Sequence, residues 1–186
     1  RSYSVTGVQT CALPIFEVFN YTEWYPIALD WCLDKNLTVL ADTDLHGVTS
    51  LQYDLAKWPR PMTLVFSKER SEEGVREALF GRRTVAWFGN NLAGKAEYVE
   101  ALFRASVQIL PAHYSNEKGT RYHHLVNSSD LPWKIKDLSG AMKGEIWIPK
   151  RGSAVVEIKK DTKELSLLVT NTYIRSSEHL KVGWTF

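Results

Sequence analysis

Cysteine is nearly absent: Cys11 and Cys32 stand alone in 186 residues, and no C-x-x-C occurs. That excludes a disulfide framework and leaves the redox compartment open. Cys32 lies in an apolar helical pattern and reads as a small buried residue. An excess of charge of one sign is lacking too. With 23 basic and 21 acidic residues and a formal net charge of +2, a dedicated nucleic-acid surface or a polybasic membrane patch is not expected. No apolar run reaches the length of a transmembrane helix, and residues 1–16 carry no apolar core of the signal-peptide kind. Repeats and low-complexity segments are missing. What is there is ordinary in amount, 44% hydrophobic and 24% charged, enough at this length for a sizeable core in one domain or two small ones. Aromatics are plentiful. Trp24, Trp31, Trp58, Trp87, Trp133, Trp147 and Trp184 are scattered, and read as core or domain-interface packing.

The run Val5-Thr6-Gly7-Val8-Gln9-Thr10-Cys11-Ala12-Leu13-Pro14-Ile15 has neither helical nor strand periodicity. It resembles the in-frame translation of a sequencing adapter. On that reading residues 1–15 are a non-native leader, natural sequence begins at Phe16, and sequence upstream of it is missing. From there Glu17–Asn20 predicts a strand. Thr22 is placed to cap a helix with Glu23 and Pro26 in its first turn, ending at Lys35-Asn36. Leu37–Ala41 is a continuous apolar run, expected of a strand buried on both faces, which makes 17–41 one βαβ unit. Met62–Phe66 and Thr84–Phe88 predict strands. Between them Ser71 is an N-cap, Glu72 and Glu73 suit the positive end of a helix, and Gly81 is placed to end it. Lys95–Ser106 predicts a further helix. After Val107 the pattern changes to short β-rich runs: Tyr122–Val126, Trp133–Lys136, Glu145–Ile148, Ala154–Ile158, Leu165–Val169 and Leu180–Trp184. These suggest a small antiparallel sandwich. The domains are therefore placed at 16–106 and 107–186.

Asp44 and His46 carry the strongest chemical signal. They stand two apart at the C-terminal end of a predicted buried strand, where ligands bind in parallel β/α folds and where i and i+2 side chains share a side. A carboxylate beside an imidazole suits a divalent ion such as Zn, Mn or Fe; taken alone, D-x-H is a weak signal, and many such pairs are capping or hydrogen-bonding groups. Gly47 then lets the backbone turn. Asp42 is either a partner orienting His46 or a solvated capping group. Arg60, Arg70, Arg82 and Arg83 either meet phosphate oxygens or lie on the solvated surface. His123 and His124 alternate faces on a strand and cannot chelate one ion together, and His113 reads as a surface residue.

Glu17-Val18-Phe19-Asn20, the helix with Trp24 and Tyr25-Pro26, Leu37–Ala41 and then Thr43-Asp44-Leu45-His46-Gly47 together resemble the last part of a PHP domain, the polymerase and histidinol phosphatase superfamily. Arg60-Pro61-Met62-Thr63-Leu64-Val65-Phe66, Glu69-Arg70 and Gly81-Arg82-Arg83-Thr84 resemble its Sb-PDE-like bacterial phosphodiesterase subgroup. The resemblance implies an α/β part, the C-terminal portion of a distorted β/α barrel, followed by the all-β sandwich. It also implies a cluster of divalent metal ions built from an early H-x-H, middle Glu and His ligands and a final D-x-H. Only the final motif is present, as Asp44 and His46; no H-x-H occurs in the chain. The implied activity of a parent protein is hydrolysis of a small-molecule phosphate ester by metal-activated water, with this chain expected to be inactive alone. The competing expectation is a non-catalytic binding or structural module on a degenerate platform, its β-rich tail bracing the rest.

Overall fold

The computed structural model describes residues 15–53 and 59–186. The adapter-like run up to Pro14, with Cys11, and Trp58 lie outside the described residues. The chain opens with β1 (Ile15–Asn20), a tight turn through Tyr21 at φ 54°, and the two-residue β2 (Glu23–Trp24), which folds back antiparallel on β1. Because β2 stands between Thr22 and the helix, Thr22 does not cap it. Instead α1 (Pro26–Asp34) starts at its proline, whose missing N–H costs nothing at that position, with Tyr25 at the N-cap. Ala28, Leu29 and Cys32 of α1 are buried against Val18 of β1 and Val39 and Ala41 of β3 (Thr38–Asp42). β1 and β3 are parallel, from Ile15 opposite Thr38 to Asn20 opposite Asp42.

After the short α2 (Thr49–Gln52) come β4 (Met62–Val65), α3 (Glu72–Phe80), β5 (Thr84–Phe88), β6 (Asn91–Gly94) and α4 (Ala96–Ser106). Ser71 caps α3, its Oγ accepting from the Gly74 N–H at 3.0 Å. The left-handed residue that ends this helix is Arg82 at φ 56°, while Gly81 stays right-handed at φ −73°. Thr63 ties the two sheets together: its hydroxyl accepts from the Ala41 N–H and donates to the Ala41 carbonyl, both at 3.0 Å. Thr63→Val keeps the shape and removes both bonds. It is expected to cost about 1–3 kcal/mol, read as a lowered urea midpoint at unchanged m-value; an unchanged midpoint would show that the stitch contributes nothing.

The expectation of an α/β half forming the C-terminal portion of a distorted β/α barrel is overturned. Such a barrel repeats parallel strands joined by helical crossovers. Here β4 pairs antiparallel with β5, and β5 antiparallel with β6. Only two residues, Gly89 and Asn90, join β5 to β6, far too few for a crossover. Among the described residues strands dominate and fall into four sheets.

The remaining strands are β7 (Val107–Ile109), β8 (Tyr114–Ser115), β9 (Arg121–Asn127), β10 (Trp133–Asp137), β11 (Glu145–Ile148), β12 (Gly152–Ile158), β13 (Glu164–Val169), β14 (Thr172–Tyr173) and β15 (Leu180–Thr185). One antiparallel sheet runs β12-β9-β7 with β8 also on β9, and a second runs β11-β10-β13-β15. Alternation sends Leu125, Val156 and Ile158 inward from the first and Ile135, Leu165, Leu167, Val169 and Val182 inward from the second. The same core takes in Val85, Leu92, Val99 and Phe103 from the preceding half, with Phe103 edge-on to Trp133 at 5.2 Å. The tryptophans divide: Trp133 is buried, whereas Trp31 and Trp147 are half exposed, so scattered spacing did not mark all of them as core.

A strand also crosses between the halves. β14 pairs in parallel with β6, Thr172 opposite Leu92, completing the sheet β14-β6-β5-β4. Asn171, just before it, is buried. Its side-chain amide donates to the Asn90 carbonyl at 2.6 Å and the Pro132 carbonyl at 2.8 Å, and its Oδ1 accepts from the Lys134 N–H at 2.9 Å.

Candidate functional site

The candidate site lies at the C-terminal ends of the parallel strands β1 and β3, where Asn20 and Asp42 are register partners. β3 ends at Asp42, so Asp44 and His46 are not strand positions and strand alternation does not align them. A left-handed turn does. Asp44 has φ 47°, and the His46 Nδ1–H donates to the Asp44 carbonyl at 2.8 Å, with the Asp44 carboxylate 3.7 Å from the same nitrogen. An aspartate tolerates this region better than most side chains, and the positive φ falls on Asp44 rather than on Gly47. Since a carbonyl only accepts, the bond places a proton on Nδ1, and in the neutral ring this leaves the lone pair on Nε2. Both side chains are largely exposed, 79% for His46 and 56% for Asp44.

Asp42 is exposed, and its Oδ1 accepts from the Thr43 N–H at 2.6 Å. The Tyr53 hydroxyl donates to the Thr43 carbonyl at 2.9 Å, and its ring meets Tyr21 edge-on at 6.1 Å. Burial pushes the Tyr53 phenol up, helped by Tyr21, Asp44 and Asp42, so it stays a proton donor. Tyr25 is raised as well, first by its 2.5 Å hydrogen bond to Glu23, then by burial and by the charges of Glu23, Glu17 and Asp44. Beside these groups lies a groove of about 750 Å³ walled by Phe16, Trp24, Tyr25 and Trp31, with Glu17 accepting from the Asn20 amide at 2.8 Å on its floor.

The other sequence candidates do not converge here. Arg60 and Arg70 are exposed in coil on either side of β4. Arg82 donates to the Asn36 and Phe80 carbonyls, and Arg83 to the Phe66 carbonyl and the Glu77 carboxylate. Cys32 is buried, its thiol pushed up to about 11 by that burial, which suits packing and not reactivity. Sequence reasoning missed Asn20, Tyr21, Tyr25 and Tyr53. The βαβ reading of residues 17–41 contained the signal for Asn20, because parallel pairing puts both strand ends side by side. Nothing local marks Tyr53.

Asp44 and His46 have the donor chemistry of a borderline divalent ion and an open Nε2, so they fit as part of a ligand set. Two ligands do not make a site, and among the described residues no group of three or more His, Cys, Asp or Glu could hold a metal.

Residues 107–185 match an Ig-like domain family. Those residues take in the two antiparallel sheets β12-β9-β7 and β11-β10-β13-β15, together with β8 and with β14, which pairs outside them with β6. The chain also superposes, with a TM-score of 0.81 and 32% identity over 91% of its length, on a crystal structure from Bacteroides vulgatus. That structure is of a two-domain protein containing a predicted PHP-like metal-dependent phosphoesterase, and this chain covers 52% of it, about half its length. No curated protein matches the chain.

Proposed function

We propose that this chain acts as a non-catalytic structural or binding module, an Ig-like region locked onto a degenerate platform of the PHP-like phosphoesterase kind, with the division between them at residue 106. The observation that carries this reading is the seam. β14 leaves the Ig-like region to pair with β6, Asn171 hydrogen-bonds to both sides, and one core runs through both halves. Such a seam suits a brace that holds a platform rigid, and the exposed, two-membered Asp44–His46 pair suits a platform that does no chemistry by itself. The test is hydrolysis of bis(p-nitrophenyl) phosphate with Mn²⁺ or Zn²⁺ supplied. The chain is expected to match the metal ion alone, and Asp44→Ala and His46→Ala to change nothing. Turnover above that blank, lost in both variants, overturns the reading.

The free Nε2 of His46 and the 32% identity to a PHP-like protein favour a second reading. There the chain is part of a larger metal-dependent phosphoesterase of the Sb-PDE-like kind, acting on a small phosphate ester. Asp44 and His46 would hold a divalent ion that supplies an activated water, and Asp42 and Arg60 would be outer neighbours. The Asp42 side chain would hold the turn through Thr43, and His46 would keep its proton on Nδ1 while offering Nε2. In that parent, His46→Ala would abolish hydrolysis; full activity of that variant sinks the second reading.

A further inference from the structure

The groove along β1 and α1 has neither Asp44 nor His46 in its lining, and at about 750 Å³ it has room for a small organic molecule. Its walls are aromatic rings. Phe16 and Trp31, both exposed, meet edge to face at 6.1 Å with planes at 85°, which makes a corner. Trp24 is a fixed wall, because it is stacked on Phe88 at 4.8 Å. Tyr25, also exposed, is tethered through its hydroxyl to Glu23 at 2.5 Å. Among the described residues that line the groove, Glu17 alone carries a charge. It is half-buried, one of its oxygens accepts from the Asn20 amide, and no cation pairs with it among the described residues. The negative field extends beyond it. The Tyr25 phenol, held up first by its bond to Glu23 and by burial, is raised further by the charges of Glu23, Glu17 and Asp44. From just past the end of α1 the Lys35 ammonium stands over the Trp31 ring, 5.9 Å from its centroid, so this ring already draws a cation.

We propose that this groove binds a small organic cation with an alkylated, quaternary ammonium head. The electron-rich ring faces attract such a head and pack against its methyl groups, and Glu17 supplies the opposite charge. A quaternary head has no N–H, so it needs no acceptor beyond those rings and that carboxylate. A primary ammonium or a guanidinium would keep donors without partners in a groove this poor in acceptors. An anion would meet Glu17 with no lining cation to offset the repulsion. An uncharged apolar molecule would use the rings but leave the half-buried carboxylate unpaired. The site goes beyond the structural or binding role proposed above and does not depend on whether the chain hydrolyses anything.

The test titrates the full chain with choline chloride and, separately, with neohexanol, the uncharged isostere in which carbon replaces the nitrogen. Calorimetry follows the binding, and the indole N–H resonances of Trp24 and Trp31 locate it. Choline is expected to saturate, to shift the Trp31 resonance, and to bind about tenfold more tightly than neohexanol. Trp31→Ala removes an exposed ring, and Glu17→Gln removes the charge while keeping an acceptor for the Asn20 amide. Each is expected to weaken choline binding by about fivefold to tenfold, with the circular dichroism of the fold unchanged. Equal binding of choline and neohexanol overturns the proposal. So does choline binding that survives both substitutions, or the absence of saturable binding. None of these results bears on the hydrolysis assay with Mn²⁺ or Zn²⁺, so the groove's ligand and the chain's proposed role fail separately.

Discussion

Asn171→Ala is expected to lower the melting temperature by on the order of 10 °C, the largest effect of any single side-chain truncation at the seam. The buried Asn171 amide serves the Asn90 carbonyl on one side of the seam and the Pro132 carbonyl and Lys134 N–H on the other. Truncation leaves all three backbone groups without their partner. Each such loss in a buried setting costs about 1–3 kcal/mol, and partial entry of water brings the sum to about 3–5 kcal/mol. Scanning calorimetry checks both size and character. One transition that moves as a whole shows the halves unfolding together; two transitions, with only one displaced, would show that the brace couples nothing.

Asp137→Ala is expected to be nearly as damaging, and the loss should depend on pH. Asp137 closes β10 by organising the turn that follows. Its carboxylate accepts from the Ser139 hydroxyl and N–H and from the amides of Ala141 and Met142, the last two at 2.6 and 3.0 Å. Burial alone would raise this carboxyl, but the bonds from Ser139, Met142 and Ala141 outweigh it and hold it below the usual range. Alanine strands two buried amides and should cost about 3 kcal/mol at pH 7. A depressed folded-state carboxyl stabilises fully above its unfolded value, about pH 4, and that contribution fades as pH falls through the lower folded value. Urea midpoints of the native chain and of Asp137→Asn, at pH 7 and pH 3, read this directly. The gap between them should shrink on acidification; an equal gap at both pH values would rule out a charged Asp137 as the cause.

Local chemistry was readable wherever one residue type performs one task. Ser71 with Glu72 and Glu73 marked the start of α3, and the six β-rich runs after residue 120 each lie inside a strand of the Ig-like region. The misreadings arose where pairing decides. Met62–Val65 and Thr84–Phe88 carry the same apolar pattern whether they run parallel or antiparallel, and a helix between them suggested a crossover that the chain does not make. Asn91–Gly94 and Thr172–Tyr173 are too short for any periodicity, yet they join the two halves. At the candidate site the residue types were readable, but the geometry was not. The i, i+2 spacing of Asp44 and His46 implied a strand, whereas a left-handed Asp44 and a ring-to-carbonyl bond set their positions.

The seat of β14 beside β6 also sets an order of events on the ribosome. Asn90 and Asn171 are 81 positions apart, so the sheet begun by β4, β5 and β6 waits, one member short, until most of the Ig-like region has left the exit tunnel. During that interval the vacant flank of β6 presents unpaired amides and carbonyls, the kind of surface that recruits a neighbouring nascent chain. Translation speed across residues 107–171 therefore bears on how much of this protein reaches its native form.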